Sequence, residues 1–194
     1  PRQLVMKKQW YSFLLWGRLS YDPSLSNEHF KKLLAARFPG VPAEKLFTAW
    51  TAASKIIPEI TRFFWKDIDL RWFPEACTRH PAPRGFYTVR DFILGDPMPG
   101  SGVLGIRQWL VRDKEAPQRQ GVTPVEVADS LQRYAQDTLT LLSELRRDDV
   151  TDRELRRTLG DLEAMAHLGR YYAAKIRAAV ALAEFDRDGK PVQQ

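Results

Sequence analysis

The sequence predicts an all-α protein: a helical bundle with a long C-terminal antiparallel helix hairpin and an irregular, aromatic-rich middle segment. Three observations predict it. Two capping boxes open helices in residues 123–188, apolar residues recur there in steps of three and four, and no stretch alternates apolar and polar residues over a useful strand length. A chain of 194 residues can bury one ample core. It contains no uninterrupted apolar run of about 18 residues, so no membrane span is expected.

The first element is an apolar helical pattern in residues 1–22, centred on Trp10-Tyr11-Ser12-Phe13-Leu14-Leu15-Trp16-Gly17-Arg18-Leu19. It begins at Pro1 with no start signal, which reads as a fragment or processed product of a larger protein. Ser26 then caps a helix whose apolar face is Phe30, Leu33, Leu34 and Phe38, ended by Pro39-Gly40. Pro42 opens another, with Leu46, Trp50, Ala53 and Ile57 on one face, until Pro58 breaks or kinks it.

Between residues 61 and 122 the texture changes. Six prolines and six glycines fall among clustered aromatics, leaving room only for short helices around Asp67 to Thr78, Thr88 to Leu94 and Val103 to Arg112. Irregular chain of this kind, held on a scaffold, is where contacts tend to be made.

The hairpin follows. Thr123-Pro124-Val125-Glu126 supplies an N-cap threonine, a proline at the first helical position and a glutamate that reaches back to the cap. Ala128, Leu131, Ala135, Thr138, Leu142 and Leu145 form its stripe. Thr151-Asp152-Arg153-Glu154 reads as a second box, followed by Leu155, Leu159, Leu162, Ala166, Gly169, Ala173, Ile176, Val180 and Ala183. The small residues Ala166, Gly169 and Ala173 admit a close backbone or a bulky partner side chain, so a second copy of the chain, as a homodimer, is one candidate partner.

Charge separates the two halves. Residues 1–122 hold 19 Lys/Arg against 11 Asp/Glu, whereas residues 123–194 hold 11 against 13. A basic, Trp-rich half suits anions beside flat faces, as in an acidic polysaccharide. The Lys/Arg arrays of nucleic-acid binders are absent, and nucleic acid is not expected as a partner.

The motifs of several chemistries are missing: no glycine-rich phosphate loop, no zinc-ligand spacing and no Gly-x-Ser-x-Gly elbow occur. His29, His80 and His167 stand far apart, and His167 reads as a packing or surface residue. Cys77 is alone and leaves the redox compartment open. No catalytic residue, metal site or cofactor is assigned.

The segment from Arg62 to Glu75 interleaves Phe63, Phe64, Trp65, Trp72 and Phe73 with Asp67, Asp69 and Glu75. Sugars are bound by that combination, because pyranose C–H faces stack on tryptophan while carboxylates accept hydrogen bonds from hydroxyls. Paired carboxylates there would also suit general acid and base roles. Read as packing, the same aromatics are core and the acids a solvated rim. Both readings follow from the residues.

The phrase Trp16-Gly17-Arg18-Leu19-Ser20-Tyr21-Asp22-Pro23, preceded by Trp10-Tyr11, resembles a motif near the end of the catalytic barrel in bacterial polysaccharide-degrading glycoside hydrolases related to family 67 α-glucuronidases. The similarity continues through Ile57-Pro58-Glu59, Trp65 to Cys77, Gly85-Phe86, Asp91-Phe92-Ile93, Pro97 to Gly102, and Leu168-Gly169-Arg170-Tyr171-Tyr172-Ala173 with Lys175-Ile176. It implies that residues 1–22 are the last helix of an upstream barrel and residues 23–194 a C-terminal helical domain. The family's acid and base would then lie upstream of Pro1, since barrel enzymes gather catalytic groups at strand ends. On this reading Trp65, Asp69, Trp72 and Glu75 are rim contacts for substrate, with Arg18 a structural or substrate-carboxylate partner. The partners implied are the barrel of the same protein and carbohydrate, with a periplasmic or secreted location favoured over a cytoplasmic one. Trp16 and the tryptophan-rich segment depart from the α-glucuronidase pattern, which leaves the sugar open. The alternative, from a different class, is a free-standing helical interaction or oligomerisation module.

Overall fold

A computed structural model describes residues 7–65, 72–74, 78–79, 85–111, 121–145 and 150–189. The architecture is all-α. Among the described residues the extended pairings include a two-residue strand pair and an isolated bridge between Val103 and Val122. The chain divides into two compact units, residues 1–51 with 137–164, and residues 52–136 with 165–194.

The first unit holds α1 (Trp10–Tyr21), α2 (Asn27–Arg37) and most of α3 (Ala43–Ser54), together with the end of α7 (Pro124–Leu145) and the start of α8 (Arg153–Asp188). Tyr11, Phe30, Leu34, Phe38, Leu46, Leu142, Leu145, Leu155, Leu159 and Leu162 are its buried apolar core. α1 ends at Asp22, whose carboxylate accepts from the Ser24 N–H at 3.0 Å and the Ser24 hydroxyl at 2.6 Å. These bonds hold the Asp22 carboxyl below the usual carboxylate range. α2 closes at Phe38, and Gly40 turns the chain with φ of 82°, a left-handed conformation that favours glycine.

Two sequence expectations are corrected in this region. The second box is capped by Asp152 rather than Thr151, because the Leu155 N–H donates to Asp152 Oδ1 at 2.7 Å. Glu154, expected to reach back to the cap, instead takes the guanidinium fork of Arg37 through both carboxylate oxygens. In the second unit the break expected at Pro58 is present: α3 ends at Ser54, four residues before it, where the proline ring crowds the i−4 carbonyl, and the chain restarts as α4 (Ile56–Phe63) with Pro58 in its first turn. An amide in that turn has no intrahelical acceptor, so proline forfeits no hydrogen bond there.

The second unit contains α4, the strands β1 (Trp72–Phe73) and β2 (Thr78–Arg79), α5 (Val89–Leu94), α6 (Ile106–Leu110), the first part of α7 and the rest of α8. The strands pair antiparallel, Trp72 opposite Arg79 and Phe73 opposite Thr78, where the sequence suggested a short helix. Aromatic and β-branched residues favour a ladder, and Pro74 would interrupt a helix. The helix expected from Val103 spans only Ile106–Leu110, since Val103 bridges Val122 instead.

The two predicted stripes hold at every position, from Ala128 to Leu145 and from Leu155 to Ala183. At the head of α7, the Thr123 N–H donates to Glu126 Oε2 at 2.8 Å and the Glu126 N–H returns to Thr123 Oγ1 at 3.2 Å. In the second unit Arg170 meets Gln136 and Arg177 meets Asp129, both at 2.8 Å, so numbers rise along one helix as they fall along the other. That is the predicted antiparallel order. The small residue Gly169 is filled from within: a Cβ there would lie 3.0 Å from Ile56 Cδ1 and 3.4 Å from Ala135 Cβ.

Candidate functional site

Lys175, on α8 in the second unit, ties that helix to the segment from Tyr87 to Phe92. Its Nζ sits 4.9 Å from the ring centre of Phe92, 5.2 Å from Tyr171 and 5.9 Å from Tyr172. It donates to the Tyr87 carbonyl and, at 3.1 Å, to Tyr171 Oη. An ammonium over aromatic faces is drawn to their negative quadrupole, and the two hydrogen bonds replace part of its lost hydration.

The rings beneath it are continuous with the core. Phe64 and Phe92 stack with centroids 4.3 Å apart and an interplanar angle of 4°, and Phe92 in turn lies 6.0 Å from Tyr172. Phe64, Phe92 and Tyr172 are each 1% exposed. The buried Tyr172 hydroxyl donates to the Pro74 carbonyl at 3.1 Å, a bond with no water to replace it.

Irregular chain is fixed to this cluster by backbone bonds. Asp91 and Thr88 form a capping box that starts α5 and places Phe92 one helical residue later. Trp65 N–H donates to the Asp96 carbonyl at 2.9 Å, and Met98 N–H to the Arg62 carbonyl at 2.8 Å. Gly95 makes the approach close: a Cβ there would stand 2.3 Å from Phe64 Cε2.

The sequence-predicted contact residues are distributed unevenly. Trp65 is half-buried in the second unit, with its amide engaged as above. Trp72 is in the β1 ladder, so Trp65 and Trp72 do not share one side of a continuous helix; the chain turns extended at Phe64, with φ of −121° and ψ of 92°. Asp69 and Glu75 lie outside the described residues. Arg18 is exposed on α1 in the first unit. Phe63 and Phe64, at 3% and 1% exposed, are core, as the packing reading of that segment has it.

Sequence reasoning assigned no role to Lys175, Tyr87 or the Tyr171-Tyr172 pair. The available signal was local: Tyr171 and Lys175 stand four apart on a helix, within reach of each other. What the cluster offers chemically is a fixed half-buried cation and, at its edge, the partly exposed face of Tyr171, 43% exposed. Among the described residues no group of three His, Cys, Asp or Glu side chains is placed to hold a metal, and no helix is long and apolar enough to cross a membrane.

Compared with protein-family models, with curated proteins and with solved structures, the chain matches none.

Proposed function

We propose that the chain is the accessory C-terminal helical domain of a polysaccharide-degrading glycoside hydrolase of the α-glucuronidase-like kind, buttressing its catalytic barrel and lending side chains to the substrate cleft. The observation that carries this reading is on α1. Phe13 and Trp16, a helical turn apart, are 54% and 81% exposed. Trp16 adjoins Gly17, over which nothing lies within 4 Å, and both belong to the phrase that carries the resemblance, with Phe13 one turn ahead of it. An apolar pair this open on a helix otherwise packed through Tyr11 is the kind of surface a neighbouring domain covers. Trp65 and Trp72, with Asp69 and Glu75, are the proposed rim contacts, and Arg18 the partner of a substrate carboxylate or of the barrel.

The test joins the chain to whatever its reading frame encodes upstream. A (β/α)8 barrel should be found there, and the joined protein should hydrolyse an oligosaccharide or aryl glycoside that residues 1–194 alone leave intact. Trp16→Ala should lower the melting temperature of the joined protein by several degrees, as expected for about 1–2 kcal/mol of lost packing, and leave that of residues 1–194 unchanged. Trp65→Ala or Trp72→Ala should raise KM several-fold through a lost stacking face. Absence of an upstream barrel, with Trp16→Ala silent in every context, would make the chain a free-standing helical module.

A further inference from the structure

The first unit contains a cleft of about 680 Å³ between Lys7 and Lys8, ahead of α1, and residues 153–161 of α8. Its volume falls in the range of small-molecule sites and is far larger than one inorganic ion requires. Two carboxylates line it, and both are already matched. Glu154 is held by the Arg37 fork, and Asp161 by Lys8 at 3.1 Å. Among the described residues the cations Lys7, Arg153 and Arg157 have no carboxylate partner, and all three line the cleft. Arg153 and Arg157 are four apart on α8, on the same face, with planar guanidinium forks that suit two-point contact with carboxylate or phosphate.

Gly160 adds an independent indication. It lies inside α8, where glycine is about 1 kcal/mol worse than alanine. A Cβ there would meet nothing within 4 Å, so no packing constraint calls for glycine, yet the residue lines the cleft. A bare backbone at a cleft wall is what close approach by a ligand requires.

We infer that this cleft binds a small organic polyanion, carrying at least two carboxylate or phosphate groups, between Lys7 and the Arg153–Arg157 pair with its body against Gly160. None of the residues proposed as carbohydrate contacts lines it, so the inference stands apart from the hydrolase reading.

The test is calorimetric titration of residues 1–194 at about 20 mM salt, where screening is weak, with trigalacturonate, tripolyphosphate and neutral maltotriose. At least one of the two anionic probes should bind and maltotriose should not. Trigalacturonate binding alone identifies an acidic sugar, and tripolyphosphate binding alone a phosphorylated ligand. Arg157→Gln and Arg153→Gln should each weaken binding by about tenfold, while Lys32→Gln, the same charge change on exposed α2, should alter it by less than about twofold. Gly160→Phe should block binding with the circular dichroism spectrum unchanged. Failure of both anionic probes, equal binding of maltotriose, equal losses from Lys32→Gln and Arg157→Gln, or full binding by Gly160→Phe would each overturn the proposal.

Discussion

The ring of Phe64 occupies the space a side chain at Gly95 would need, with Cε2 2.3 Å from where that Cβ would stand. Phe64 has little room to retreat, because its ring is stacked on Phe92. Gly95→Ala should therefore destabilise the protein by about 1–3 kcal/mol in chemical denaturation, as overpacking does. Phe64→Leu in the same chain should recover part of that loss, so the double mutant should be more stable than the sum of the single effects.

The cap of α8 separates two adjacent residues of similar chemistry. Asp152→Ala should cost about 1 kcal/mol by orphaning the Leu155 amide, whereas Thr151→Ala should be nearly silent. The reverse order, read from urea midpoints, would restore Thr151 as the cap.

Tyr11 is 3% exposed, with its ring 4.6 Å from that of Trp50 and, among the described residues, no hydrogen-bond partner for its hydroxyl. Burial pushes its phenol up from 10.0 to about 12. Between those values the unfolded chain releases the proton and the folded chain keeps it, so the stability Tyr11 confers is whole below pH 10 and lost as pH climbs toward 12. Tyr11→Phe should match the parent near neutrality or exceed it. It should then gain on the parent by about 2 kcal/mol across the alkaline window, seen as a flatter fall of unfolding free energy with pH.

Leu159→Asp places a charge at a position 2% exposed in the first-unit core. Loss of most of the far-UV helical signal at ambient temperature is expected, since an unpaired buried carboxylate costs several kcal/mol. A parent spectrum dominated by strand would contradict the fold itself.

The long hairpin was legible because two independent signals coincide there, a cap and a stripe on each helix, from Ala128 to Leu145 and from Leu155 to Ala183. Where signals compete, the outcome lay in tertiary contacts. Thr151 and Asp152 can each cap, and the Arg37 fork that engages Glu154 from another helix removes the residue a box at Thr151 would need. Trp65 and Trp72 share a helical spacing of seven, but the chain leaves helical geometry at Phe64. Of the Lys175 cluster only the Tyr171–Lys175 spacing was legible, because Phe64, the Tyr87–Phe92 segment and Tyr172 are far apart in sequence and no periodicity links them. Of the proposed rim residues, Asp69 and Glu75 fall outside the described chain.

Lys175 has a further consequence as an amine. To act as a nucleophile it must release the Tyr87 carbonyl and the Tyr171 hydroxyl and swing away from the three rings it lies over. Acylating reagents at limiting dose should therefore label exposed amines such as Lys32 early and Lys175 late. Its protection from labelling is a local clock for the opening of the loop that carries Tyr87.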